Sequence, residues 1–184
     1  SMSRGILAVG AYAPGSRVPA DAFEDAWGRF DAPGIETKAV PDADEDALTM
    51  AVEAGRRALS AADRAGTGVE QLAFATTTPP LAEGDLTARL GSYLDVPADA
   101  LRRTHTGSTR AGIDALLDAV GTDRTALVVA SDCPEGEPDD SREHAAGAGA
   151  AALLVGDDAP AIIGDRGPHA DPRPGTRFRG PGTP

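Results

Sequence analysis

Cys133 is the single thiol of the chain, and as a thiolate it would be a nucleophile. It follows the apolar run ALVVASD and enters a loop where Asp132, Glu135 and Glu137 crowd it. Neighbouring carboxylates raise a thiol's pKa, so the sequence points to an unreactive Cys133. One cysteine cannot close an intramolecular disulfide, which suits a reducing compartment. His105, His144 and His169 lie far apart along the chain, so no metal centre and no metal cofactor are expected from their spacing. His105, just ahead of a helical segment, reads as a structural or exposed residue. The run GAGAAA at 147–152 lacks the full glycine spacing of a dinucleotide loop and opens a strand instead of a helix. It reads as small residues that let a strand pack closely on a helix or a second copy. Ser108 and Thr109 precede another helical segment, where a hydroxyl serves first as an N-cap.

The elements that would position these groups follow from periodicity. Residues 5–13, GILAVGAYA, read as a buried strand closed by Pro14-Gly15. Pro19, Asp21 and Glu24, with Phe23, Ala26 and Trp27 at helical spacing, predict a helix over 19–28. After the turn-rich stretch FDAPGIETKAVPDADED, a longer helix is set by Leu48, Ala51, Val52, Gly55, Leu59 and Ala62. Strands are predicted at 70–77, 125–131 and 149–155, with a short one at 161–164, and helices at 86–94 and 110–120. Apolar strands alternating with helices imply an α/β fold with a mainly parallel sheet covered on both faces.

The 184 residues suit one domain. Leu, Ile, Val and Phe number only 33 against 36 alanines, so the core must be lean and its helices closely packed. The net charge of −12 would repel nucleic acid and anionic lipid. Twenty Asp against nine Glu, and sixteen Arg against the one Lys38, suit a salt-rich cytoplasm or a GC-rich genome. No apolar run is long enough for a membrane span and no signal peptide is evident at the start, so a cytoplasmic protein is expected. Ser1 and Met2 read as a tag remnant. These features divide the chain into 1–4, a domain over 5–167, and a Pro/Gly-rich linker or disordered tail over 168–184.

The charge carries a first prediction. Repulsion among carboxylates reaches about 8 Å at physiological ionic strength and about 3 Å near molar salt, and a lean core leaves that repulsion a large share of the stability balance. Thermal melts should therefore rise by several degrees between low and molar KCl, roughly 1 to 2 kcal/mol at about 4 °C per kcal/mol. A flat or falling melting temperature in chloride would count against the halophilic character and against repulsion as the limiting term.

The order GILAVGAYAP, GIETKAVPDADEDALTMAVEAGRRAL, LAFATTTPP, ALVVASD and GAGAAALLV resembles the first half of a ketoacyl synthase III or hydroxymethylglutaryl-CoA synthase, both of the thiolase fold. The resemblance implies an αβ half built on a five-stranded, mostly parallel mixed sheet, with a second, similar half beyond it. It implies acyl-CoA as substrate or ligand, with no other cofactor. Thr109 then stands at the position of the nucleophilic cysteine, Ser108 beside it, and Thr77 at the position of the general-acid glutamate. A hydroxyl has no appreciable alkoxide population without a base, so the chain by itself is expected to be inactive. Trp27 falls near an adenine-stacking tryptophan, and Arg29 and Lys38 could meet CoA phosphates. Trp27 equally suits a helix residue anchored on the sheet. Partners implied are a second copy, giving a homodimer, or another thiolase-fold chain, paired through residues 70–77 or the stretch around Gly147. A non-catalytic scaffold or acyl-CoA binding module is the alternative, and a globular αβ domain without a thioester role is a third.

Overall fold

A computed structural model describes residues 4–167, 169 and 171; the 168–184 tail expected from the sequence falls almost entirely outside them. In chain order the elements are β1 (Gly5–Tyr12), β2 (Ser16–Pro19), α1 (Ala20–Trp27), β3 (Thr37–Val40), α2 (Ala47–Ala61), β4 (Gln71–Ala75), α3 (Leu86–Tyr93), β5 (Leu101–His105), α4 (Ala111–Val120), β6 (Ala126–Asp132), α5 (Ser141–Ala145), β7 (Gly149–Gly156) and β8 (Ala161–Ile162).

The acidic run before α2 does more than meet a helix dipole. Asp46 is the N-cap: its Oδ1 accepts from the Thr49 amide at 2.7 Å, while the Thr49 hydroxyl accepts from the Asp46 amide at 2.8 Å. This reciprocal pair satisfies two otherwise orphaned amides. The helix then buries Leu48, Met50, Ala51, Val52, Ala54, Ala58 and Leu59, a wider face than the predicted stripe. Its small residues sit on the sheet, and Gly10 is what allows the approach. A Cβ at Gly10 would lie 2.3 Å from the Ala54 carbonyl oxygen and 2.4 Å from the Ala58 nitrogen. Close strand-to-helix packing thus runs through Gly10. Gly147 and Gly149, the candidates from sequence, have 3.8 and 3.3 Å to their nearest backbone atoms.

The main sheet has six strands in the order β5-β4-β6-β7-β1-β8, one more than expected, and it is less parallel. Only β4/β5 and β4/β6 are parallel; β6/β7, β7/β1 and β1/β8 are antiparallel. The apolar composition of the strands reports burial on both faces, which helices provide whatever the strand direction. One face carries α2 and α3 over Leu72, Phe74, Leu127, Val129 and Leu154. On the other, α4 packs Ala111, Ala115 and Ala119 over Ala73, Ala75, Val128 and Val155.

Four elements carried no apolar signal. β5 (LRRTH) is an edge strand with little burial, β2 ahead of α1 pairs antiparallel with β3, which lies within the stretch expected to be turns, and α5 is a helix of five residues. The β5 assignment also corrects the expected pairing between copies. Residues 71–75 lie between β5 and β6, and β7, which begins at Gly149, lies between β6 and β1. Both have their ladder groups satisfied internally, so neither can pair across a symmetry axis.

Candidate functional site

β4, β5 and β6 run parallel and end at one edge of the sheet, the side where open α/β sheets carry their sites. The predicted Thr77 lies just past β4, Ser108 and Thr109 past β5, and Asp132 closes β6. Asp132 Oδ1 is the common acceptor of this edge. It receives the Thr77 amide at 2.6 Å, the Thr77 hydroxyl at 3.0 Å, the Thr76 hydroxyl at 3.1 Å and the Thr78 hydroxyl at 3.4 Å. The Cys133 amide donates to the Thr78 hydroxyl at 2.8 Å, and the Thr76 amide donates to the His105 carbonyl at 3.0 Å, binding all three strand ends together. Ser131 Oγ is buried here without a hydrogen-bond partner. A groove of about 380 Å³ opens beside Asp132, lined by Ala130, Ser131, Gly149 and Ala151. Asp132 was legible in sequence only as an acid near Cys133; an aspartate ending one strand beside a threonine run ending its parallel neighbour is the signal that could have found it.

Ser108 and Thr109 are exposed in the turn before α4. Neither is its N-cap. That position is Arg110, in a helical conformation without a side-chain cap, because Ser108 Oγ already accepts from the Arg110 amide at 3.1 Å in a local turn. Cys133 is half-buried against the α2 core. Its thiol is pushed above its ordinary range by burial first, then by Glu135, Asp46, Glu45 and Asp132, so desolvation adds a cause the sequence did not point to. His105 Nε2 lies 3.4 Å from Asp118 Oδ2.

Trp27, Arg29 and Lys38 gather in a second cluster. Trp27 does not anchor α1 to the sheet. It remains 39% exposed and packs on Phe23 and on the imidazole of His144, stacked at 5.6 Å and 13°. Arg29 bonds Asp139 through Nε (3.1 Å) and through the Asp139 carbonyl (2.8 Å), and also pairs with Asp31. The Asp139 hydrogen bond holds its guanidinium above the ordinary range. Lys38, 7% exposed, bonds Glu143 Oε1 at 2.8 Å and stands 5.5 Å above the Phe23 ring. A cleft of about 370 Å³ runs between Trp27, Lys38 and Pro41 on one wall and Pro134, Gly136 and Glu143 on the other. Lys38, the cation in its lining, is already matched by Glu143. Among the described residues, no group of three or more His, Cys, Asp or Glu is placed to hold a metal ion, and no helix is long and apolar enough to cross a membrane.

No family model matches the chain. The β-ketoacyl-[acyl carrier protein] synthase III of Thermus thermophilus superposes with a TM-score of 0.75 at 25% identity, over 83% of this chain and 51% of that one. The chain carries a thiolase-like fold. The curacin-pathway HMG synthase, solved in complex with acetyl donor-ACP, has the same thiolase-like fold at a TM-score of 0.75 and 23% identity, over 84% of this chain and 41% of that one. In sequence, the chain is 34% identical over 158 residues to the hydroxymethylglutaryl-CoA synthase of Thermococcus onnurineus (strain NA1), covering 83% of this chain and 45% of the relative. The thiolase-like chain therefore spans about half the length of the curated relatives it matches.

Proposed function

We propose that this chain is the N-terminal half of an acyl-CoA condensing protein, and that it works only against a second thiolase-fold half, whether joined to it in a longer polypeptide or supplied by another chain. The observation that carries the reading is an uncovered apolar side of the fold. α4 turns its alanines to the sheet and leaves Ile113 58% and Leu117 37% exposed, and Val9 of β1 is 60% exposed opposite Leu153 in the register. A soluble chain rarely leaves such side chains together in water, and the missing half-length of the relatives is of the size to cover them.

In this reading Thr109 sits where a nucleophile would attack an acyl thioester and Thr77 where a proton donor would stand. Ser108 flanks the first. Neither hydroxyl transfers a proton near neutral pH, and the Thr77 hydroxyl is already committed to Asp132 at 3.0 Å. The half is then a scaffold for chemistry completed elsewhere. The non-catalytic alternative, an acyl-CoA binding module with a partner protein, draws on Trp27 at the mouth of the second cleft; Arg29 and Lys38, matched by Asp31, Asp139 and Glu143, offer little uncompensated charge to a phosphate.

Light scattering tests the uncovered face. The full chain is expected to run as a dimer or larger, and Ile113→Asp with Leu117→Asp to shift it to a monomer with unchanged circular dichroism. A clean monomer at high protein concentration and high salt removes the requirement for a second half.

A further inference from the structure

The segment between β6 and β7, residues 133–148, is an acidic strap pinned by one buried imidazole. His144 is fully buried. Its ring lies between Trp27, stacked at 5.6 Å, and Phe30, stacked at 5.7 Å and 15°, with Phe23 edge-on at 5.4 Å. Nδ1 accepts the Asp31 backbone N–H at 2.9 Å. Nε2 is 3.2 Å from Asp139 Oδ1, out of line for a hydrogen bond.

We propose that His144 is a proton-operated latch: neutral, it holds the strap closed over the Trp27–Lys38 cleft, and when charged it lets the strap go. The bond to Asp31 fixes the tautomer. Since Nδ1 accepts, the one ring proton of the neutral form is on Nε2. A second proton could enter only at Nδ1, where it would face the Asp31 N–H head-on, two donors at 2.9 Å. The closed strap therefore accommodates the neutral ring alone. Charged groups around the ring divide in sign. The segment after α1 supplies Arg29 and Asp31, β3 supplies Lys38, the residues before α5 supply Asp139 and Asp140, and α5 itself carries Arg142 and Glu143; α1 contributes the rings of Phe23 and Trp27. Asp139 Oδ1 is shared with Arg29 Nε at 3.1 Å, so it is not free to become the sole counter-ion of an imidazolium.

The strap has further ties: Arg29 to the Asp139 carboxylate and carbonyl, Lys38 to Glu143, and the Ala148 amide to the Ala39 carbonyl at 3.2 Å. It also carries Pro134, Gly136 and Glu143, one wall of the cleft. Release therefore opens the cleft and slackens the chain next to Asp132. Because the closed strap fits only the neutral ring, lowering the pH draws the equilibrium toward the open strap and raising it restores closure.

Trp27 is the only tryptophan, so its fluorescence reads the latch in the full 184-residue chain. Between pH 8 and 5 the emission is expected to move to longer wavelength and become more accessible to acrylamide, reversibly, with far-UV circular dichroism unchanged. Exchange of the Asp31 amide, corrected for its intrinsic pH dependence, should rise on the order of tenfold or more. His144→Asn, whose side-chain oxygen can accept the Asp31 N–H but cannot titrate, should abolish the transition; this separates His144 from His105 and His169. The same transition in His144→Asn, or a wild-type Trp27 signal unmoved to pH 5, overturns the latch. Should the variant not fold, the wild-type Asp31 amide decides: protection at pH 7.5 that is lost at pH 5.5 supports the latch, and protection at both refutes it.

Discussion

Acetyl-CoA and acetoacetyl-CoA are expected to leave the mass of the isolated chain unchanged. Thr109 lies exposed in a turn ahead of α4, and its hydroxyl makes no hydrogen bond to another described residue that would draw off its proton. A helix terminus favours an anion by at most about 1 kcal/mol at an exposed site, far short of what an alkoxide needs at neutral pH. The other nucleophile is no better placed, because burial raises the Cys133 thiol above its ordinary value of 9.0. Its alkylation by iodoacetamide should be slow at pH 7.5 and still climbing above pH 9. Thr109→Cys supplies the contrast: an exposed thiol at a helix start should label roughly tenfold faster or more than Cys133. Intact-protein mass spectrometry after acyl-CoA incubation checks the first expectation and a labelling time course the second. A stoichiometric acyl group on wild-type Thr109 or Ser108 would show that the hydroxyl is activated after all.

Gly10→Ala should be strongly destabilising. Its Cβ would enter the backbone of α2 between Ala54 and Ala58, and neither atom is the movable end of a side chain. The helix must lift from the sheet, separating the α2 face from Leu72, Phe74, Leu127 and Leu154. A cost of about 3 kcal/mol or more is expected, read as a fall in the urea midpoint at unchanged slope. Gly15→Ala serves as the control, since nothing lies within 4 Å of a Cβ there and the change should be near neutral. Equal stabilities for the two variants would mean that α2 is not held against β1 as closely as the backbone shows.

How much of this was legible beforehand depends on where each signal lives. Local pattern determined α2, from Leu48 to Ala62, and the apolar strands β1, β4, β6 and β7, because burial imposes apolar residues at fixed spacing within one segment. It also carried the resemblance of the segment order to a thiolase-fold half. Pattern could not determine strand direction, since a strand buried on both faces looks the same in a parallel or antiparallel ladder; nor could it find β5, whose LRRTH sits at an edge with one flank in solvent. The two clusters were decided only by tertiary structure. Asp132 gathers Thr76, Thr77 and Thr78 from a strand more than fifty residues away, and His144 meets Trp27 and Phe30 across more than a hundred. A hydrogen bond or a ring stack constrains only the two residues that make it, so it leaves no periodicity in either segment, and the residues most able to do chemistry here are placed by contacts that no single stretch of sequence contains.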